Sequence, residues 1–193
     1  RQFDISKIDF ELLSREFAHT RRKNLLLRDL DELVNQQLAK MLFANPQRID
    51  YYDRYQEIID AYNAEQNRAT IEKTFMDLME LASSLDMEQQ RYVREGFSSD
   101  EELSVYDLLF SENLTKQEIE TIKKVSVDLL TKIKQQIAKL DHWTDKQETK
   151  AIVDNLIRNT LWQELPNSYD VSDIQTYQKK IYEYVYMRYP EVA

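Results

Sequence analysis

The two histidines are the first candidates for chemistry, because imidazole serves as a metal ligand and as a general base. Glu16 and His19 have the Glu-x-x-His spacing that places a carboxylate and an imidazole on one helix face. A di-iron site in a helical bundle needs a second such motif and two further inward-facing glutamates. His142, the other histidine, has Lys139 three residues before it, so the second motif is missing. We therefore predict no metal ligand in this sequence.

Catalysis by a nucleophile is also disfavoured. A Ser/His/Asp site needs a histidine that is held by a carboxylate and lies next to the nucleophile. Asp141 directly precedes His142, but adjacent residues of a helix do not face each other. The absence of cysteine excludes thiol nucleophiles and thiolate metal sites, and the single glycine, Gly96, excludes glycine-rich phosphate loops. The sequence thus predicts no catalytic residue and no cofactor-binding residue.

The last predicted helix carries aromatic residues on two faces. At about 100° per residue, its predicted core stripe consists of Ile174, Tyr177, Ile181, Tyr184 and Val185. Tyr182, Tyr186 and Tyr189 form a second stripe, roughly 90–150° from the first. Such a helix is either central to its own fold or part of an interface, where tyrosine is enriched. We take Tyr182, Tyr186 and Tyr189 as a candidate partner interface.

The elements that position these residues are predicted to be helices. One glycine and three prolines in 193 residues leave too few turn residues for most sheet architectures. The predicted fold is all-α, a multi-helix bundle with one domain or two helical lobes. Capping patterns predict helix starts at Thr20, Asp86, Ser99, Thr115, Thr144 and Ser172. Helix ends are predicted at Asn45-Pro46, Gly96 and Tyr189-Pro190.

Charge and turn residues suggest a division of the chain. Ser111-Glu112-Asn113 is the predicted junction between a helical domain (1–112) and a helical hairpin with the tyrosine-rich terminal helix (113–193). The formal net charge is −9, and residues 51–112 hold 15 acids and 5 bases. This balance opposes non-specific binding to a phosphate backbone. Basic stretches such as Lys123-Lys124 are interpreted as solvated helix faces.

The sequence has no apolar run long enough to cross a bilayer, so we expect a soluble, cytoplasmic protein without a membrane partner. Its first residue is Arg1 rather than methionine, and we interpret the chain as a piece of a longer protein.

Several short motifs occur in a characteristic order. They are Asp9-Phe10, Leu38-x-x-Met41-Leu42-x-x-Asn45-Pro46, Tyr55-x-x-Ile58-Ile59, Val93-Arg94-Glu95-Gly96, Tyr106-Asp107-Leu108-Leu109, Trp143-x-x-Lys146-Gln147 and Leu165-Pro166-x-Ser168-Tyr169. With the tyrosine-rich terminal helix, they resemble the C-terminal helical region of the restriction subunit of type I restriction–modification enzymes. The resemblance covers nearly the whole chain. Its most specific block is Val93-Arg94-Glu95-Gly96 followed by Glu101-Glu102-Leu103 and Tyr106-Asp107-Leu108-Leu109.

The resemblance implies a parent subunit with a nuclease domain, two RecA-like motor domains and this helical end. It implies ATP-driven DNA translocation and DNA cleavage by the parent, with ATP and Mg as the parent's cofactors. It also implies docking onto a methyltransferase core of modification and specificity subunits, partly through this end. The family's nuclease carboxylates, phosphate-binding loop and helicase motifs have no counterpart here. No catalytic residue is carried over, and no cofactor is expected in this fragment.

Three functions stay open at this point. The first is a non-catalytic assembly scaffold, in which residues 1–112 brace the second motor domain and residues 113–193 contact the methyltransferase core. The second is a DNA-track element that contributes directly to translocation, and the third is a free-standing helical adaptor. The acidic balance favours the scaffold, which would reach DNA only through the complex.

Overall fold

The computed structural model describes residues 8–191, and this part of the chain contains nine α-helices and no β-strand. The all-α prediction is confirmed. The helices are α1 Phe10–His19, α2 Lys23–Ala44, α3 Ile49–Ala64, α4 Arg68–Gln89, α5 Arg91–Arg94, α6 Asp100–Leu109, α7 Lys116–Ile137, α8 Gln147–Glu164 and α9 Val171–Arg188. A short 3-10 helix, Pro46–Arg48, joins α2 to α3. The chain divides into two compact units, with the division between Arg94 and Glu95.

The first unit is built on α2, α3 and α4. Both α2 and α3 pack against α4, and their apolar stripes are buried along it. The ring of Phe17 in α1 stacks on the ring of Phe75 in α4, with centroids 3.7 Å apart and planes 6° from parallel. Lys23 holds the turn after α1, since its Nζ donates to the Phe17 carbonyl at 2.7 Å. This contact and the Phe17–Phe75 stack attach α1 to the unit.

The second unit places α6 with α7, α8 and α9, so the division lies before α6 rather than at 112/113. Helix α6 packs against α7 and α9, and Leu103 and Leu109 are fully buried. The hydroxyl of Tyr169 donates to the Leu109 carbonyl at 2.5 Å, across 60 residues of sequence. The segment around Asn113, which has a φ of 67°, is a turn between two helices of the same unit. The turn predicted at Ser111-Glu112-Asn113 is therefore present, but it is not the boundary between the two units.

Two of the predicted helix starts have the expected cap. The Ser99 hydroxyl accepts from the Glu102 amide at 3.3 Å, and the Thr115 hydroxyl accepts from the Glu118 amide at 3.2 Å. Glu118 returns the bond to the Thr115 amide, which completes a capping box. The predicted ends at Asn45-Pro46 and Tyr189-Pro190 are also found, and Gly96 has a φ of 86° in the turn that follows α5.

The other predicted starts are wrong. Helix α9 begins earlier than Ser172, because Asp170 and Asp173 form the capping box there. Helix α8 is preceded by Lys146 rather than by Thr144, and the Thr20 hydroxyl accepts from Arg22 instead of capping α2. The pattern at Asp86 starts no helix.

The Asp86 pattern lies inside α4, which runs on to Gln89. Leu81, Leu85 and Glu88 of this last part are buried, so tertiary packing keeps the polar stretch helical.

A buried ion pair connects the start of α3 to the end of α4. Arg48 Nε lies 3.1 Å from Glu88 Oε1, and both side chains are almost fully buried. Arg91 Nε lies 3.0 Å from the same carboxylate, and the Tyr51 hydroxyl donates to it at 3.4 Å. Arg48 also donates to the Met41 carbonyl at the end of α2. The Glu88 carboxylate of α4 thus joins the 3-10 helix, α3 and α5 to α4.

We predict that Glu88→Ala lowers the free energy of unfolding by about 3–5 kcal/mol, because it leaves the Arg48 guanidinium buried opposite no carboxylate. Glu80→Ala is the matched control: Glu80 pairs with Arg54 at 3.1 Å, but its side chain is 73% exposed. The control should change stability by at most about 0.5 kcal/mol. Urea denaturation of both variants measures the difference, and equal costs would contradict the role given to the buried pair.

Because of Tyr55, the free energy of unfolding of the first unit is expected to vary with pH in the alkaline range. Its buried hydroxyl donates to Asp31 Oδ1 at 2.6 Å, and burial together with this bond raises its pKa from 10.0 to about 12. Below pH 10 the protonated phenol contributes its full stabilisation, and between pH 10 and pH 12 ionisation of the unfolded chain removes it. We predict that the stability advantage of the wild type over Tyr55→Phe shrinks across this interval in urea titrations. A constant difference would contradict the assignment.

Candidate partner interface

Helix α9 buries the face that the sequence predicted as its core. Ile174, Ile181, Tyr184 and Val185 are buried within the second unit. Tyr177 is half-buried and packs at 5.4 Å between centroids against Tyr169, the tyrosine that bonds α6. The predicted stripe is therefore the core face, with Tyr177 at its edge.

The second face of α9 lies beside Trp143, a residue that the site prediction did not include. Trp143 comes from the turns between α7 and α8, and its side chain is fully buried. Its indole Nε1 donates to the Tyr189 carbonyl at 2.6 Å, and its own carbonyl accepts from the Thr149 hydroxyl at 2.7 Å. The only signal for this role was a tryptophan in a short connection between two predicted helices.

Tyr182 and Tyr186 flank the indole. Each tyrosine ring meets the Trp143 ring nearly at right angles, with centroid separations of 6.1 Å for Tyr182 and 5.7 Å for Tyr186. The two tyrosines lie 6.1 Å from each other. Tyr186 remains 39% exposed, and Tyr182 is half-buried with a pKa raised first by burial and then by the Asp154 carboxylate. Their contacts with Trp143 fix the rings on one side while the other side faces outward.

Tyr189 has a different environment. It follows the last residue of α9 with a φ of −126°, so the helical angle used to align it with Tyr182 no longer applies. Its ring packs edge-on against Tyr184, and Lys134 Nζ lies 5.3 Å from its centroid. Burial, followed by interactions with Tyr184 and Glu101, raises the pKa of Tyr189. The structure brings Tyr182 and Tyr186 together and places Tyr189 among other partners.

A polar groove between α8 and α9 adjoins Tyr182. The groove has a volume of about 470 Å³, and residues of both helices line it, among them Lys150, Gln178 and Lys179. Gln178 donates to Asp154 at 3.0 Å and so connects the two walls. Met187, directly after Tyr186, is 62% exposed. This face of the second unit therefore combines exposed aromatic and apolar groups with polar neighbours.

The two histidines have separate environments: His19 ends α1 in the first unit, and His142 directly precedes Trp143 in the second. His19 Nδ1 lies 2.8 Å from the Arg15 carbonyl, and Glu16 is exposed. His142 is in a turn rather than a helix, with Nε2 3.5 Å from Asp141 and Nδ1 3.0 Å from Glu191. The assumption that helical geometry separates Asp141 from His142 was wrong. Across residues 8–191, no three or more histidine, cysteine or carboxylate side chains come close enough to hold a metal ion.

Three of the five lysines of α7 pair with carboxylates within the second unit, whereas Lys116 and Lys124 are exposed. Lys123 lies 3.3 Å from Glu95, Lys132 contacts both Asp128 and Glu164 at 2.5 Å, and Lys134 pairs with Glu101. These ion pairs neutralise much of the charge that the α7 lysines present to solvent. Between residues 8 and 191, none of the helices combines the length and apolar composition needed to cross a bilayer.

We predict that the two faces of α9 differ in their contribution to stability. Ile181→Ala should lower the free energy of unfolding by about 2–4 kcal/mol, because it leaves a cavity in the core. Tyr186→Ala should lower it by about 1 kcal/mol or less, since the partly exposed ring loses mainly its contact with Trp143. Chemical denaturation of both variants tests this, and equal losses would make the second face ordinary core.

Comparison with known protein families places the chain. Residues 1–189 match the family described as "Type I restriction enzyme HindI endonuclease subunit-like, C-terminal". Comparisons with curated proteins and with solved structures give no match. The family match spans all the motifs that carried the resemblance, from Asp9-Phe10 to the terminal helix, and the resemblance is confirmed. The chain therefore belongs to the family of C-terminal regions of HindI-like type I restriction enzyme endonuclease subunits.

Proposed function

We propose that this chain is a non-catalytic assembly module of a type I restriction enzyme, and that Tyr182 and Tyr186 of α9 form its contact with another subunit. The observation that carries the proposal is the pair of partly exposed tyrosine rings held edge-on by the buried Trp143. Family membership supplies the complex in which such a contact would act.

The physical argument rests on preorganisation. An aromatic anchor contributes most to binding when its rotamer is already fixed, because little side-chain entropy is then lost on association. Tyr182 and Tyr186 are fixed by Trp143 and by each other. Their outward sides offer the amphipathic surface that is typical of interface hot spots. A buried tryptophan that is covered by its own unit thus orients two residues for a partner.

The proposed partner is the methyltransferase core, made of the modification and specificity subunits. In this proposal the parent chain carries the nuclease and motor domains, uses ATP and Mg, and translocates and cleaves DNA in the cytoplasm. The first unit of the present chain braces the motor domains, and the second unit contacts the core. DNA is reached through the complex.

The charges support assembly over a direct role as a DNA track. A track that contacts phosphates needs unpaired cations along a surface, and its binding weakens steeply with salt. Lys123, Lys132 and Lys134 of α7 instead face Glu95, Asp128, Glu164 and Glu101. The net charge of −9 also opposes binding to the phosphates of DNA.

We predict that Tyr186→Ala in the parent endonuclease subunit weakens its association with the methyltransferase core by at least about 2 kcal/mol, because it removes a preorganised anchor. Tyr52→Ala is the matched control: Tyr52 lies in the first unit, is 41% exposed and also contacts one tyrosine, Tyr55. Titration of the labelled core with each variant measures the dissociation constants.

Two outcomes would overturn the proposal. Unchanged association of the Tyr186→Ala variant would remove α9 from the interface. Tight, salt-sensitive binding of the isolated chain to duplex DNA in a gel-shift would favour the DNA-track function instead.

A further inference from the structure

An open apolar groove lies between α1 and α2 in the first unit. Its volume is about 410 Å³. Its floor is aliphatic and consists of Ile8, Leu12, Leu13, Leu26, Leu30 and Leu33. Leu12 is 53% exposed, and of the six only Leu30 is fully buried in the core. Ile8, Leu13, Leu26 and Leu33 are partly buried against the core, so the solvent-facing part of the groove consists of Leu12 and the outer edges of these side chains.

The lining residues have helical spacing on each of the two walls. Along α1, Asp9, Leu12, Leu13 and Glu16 follow at three and four residues, and along α2 Leu26, Asp29, Leu30 and Leu33 do the same. At 1.5 Å per residue, each wall is about 10 Å long, which equals about two turns of a helix. A groove of this length and composition fits the apolar stripe of a third helix, in the helix-in-groove mode of recognition.

Among the described residues that line the groove, the charges are of one sign. Asp9, Glu16 and Asp29 are the charged members of this set, and none of the described lining residues is a lysine, arginine or histidine. Asp9 is partly engaged as the N-cap of α1, and Asp29 lies 4.0 Å from the exposed Arg28. The Glu16 side chain is exposed. The Thr20 amide donates to the backbone carbonyl of Glu16 rather than to its carboxylate. An apolar floor with carboxylates at its edge complements a helix that carries leucines on one stripe and lysines or arginines beside it.

We propose that this acidic-edged groove, lined by α1 and α2, is a docking site for a basic amphipathic helix of a partner protein. The partner places apolar residues at positions i, i+3, i+4 and i+7 on the aliphatic floor, and its flanking cations pair with Glu16 and Asp29. The site belongs to the first unit and is independent of the contact proposed for Tyr182 and Tyr186.

A fluorescent 14-residue peptide with leucine at i, i+3, i+4 and i+7 and lysine at the other positions tests the site. We expect the 193-residue chain to bind it, and Glu16→Lys/Asp29→Lys to weaken binding by about tenfold or more in anisotropy titrations. Leu12→Asp should weaken binding similarly, and its exposed position should leave the fold intact. The matched control is Glu11→Lys/Glu32→Lys, which makes the same charge change on exposed positions of the same two helices outside the groove.

The proposal is overturned by any of four results. In the first, the control variant loses binding as strongly as the groove variant; in the second, a peptide with glutamate in place of lysine binds equally well. A dimer of the chain that dissociates in Glu16→Lys/Asp29→Lys during sedimentation assigns the groove to a second copy. Peptide binding that occurs only after residues 1–7 are removed assigns it to the chain's own first residues.

Discussion

The hydrogen bond from the Trp143 indole to the Tyr189 carbonyl determines where the end of α9 lies in the second unit, because a buried indole N–H needs an acceptor. This bond holds the end of α9 against the connection between α7 and α8. With that end fixed, Tyr184 and Val185 face the core, and Tyr182 and Tyr186 meet the indole edge-on. The geometry of the candidate interface is thus a consequence of burying one tryptophan.

Carboxylates pair with basic side chains in both units, with different consequences. In the first, Glu88 neutralises Arg48 in the interior and is approached by Arg91 and Tyr51. In the second, carboxylates pair with three lysines of α7 at its surface. The buried group stabilises a specific arrangement of segments, whereas the surface pairs mainly decide what the protein presents to a partner. The acidic surplus that remains opposes binding to phosphates and favours basic protein surfaces.

Much of the fold could be predicted from the sequence, because a helix in a small bundle buries one periodic stripe. The core stripe of α9 and the caps at Ser99 and Thr115 follow from this local logic. The failures depend on tertiary contacts. Asp86 stays inside α4 because neighbouring residues are buried, and α6 joins the second unit because of where it packs. The pairing of Trp143 with Tyr182 and Tyr186 joins residues about 40 positions apart, which periodicity within one helix does not reveal.

The positions of the two tryptophans have a spectroscopic consequence. Trp143 and Trp162 are the only tryptophans of the chain, and both lie in the second unit. Trp143 is fully buried and Trp162 is 51% exposed, so an aqueous quencher reaches one indole and not the other. Tryptophan emission therefore reports the second unit alone, while circular dichroism records helices from both units. Whether the two signals change together on heating distinguishes one cooperative transition from two.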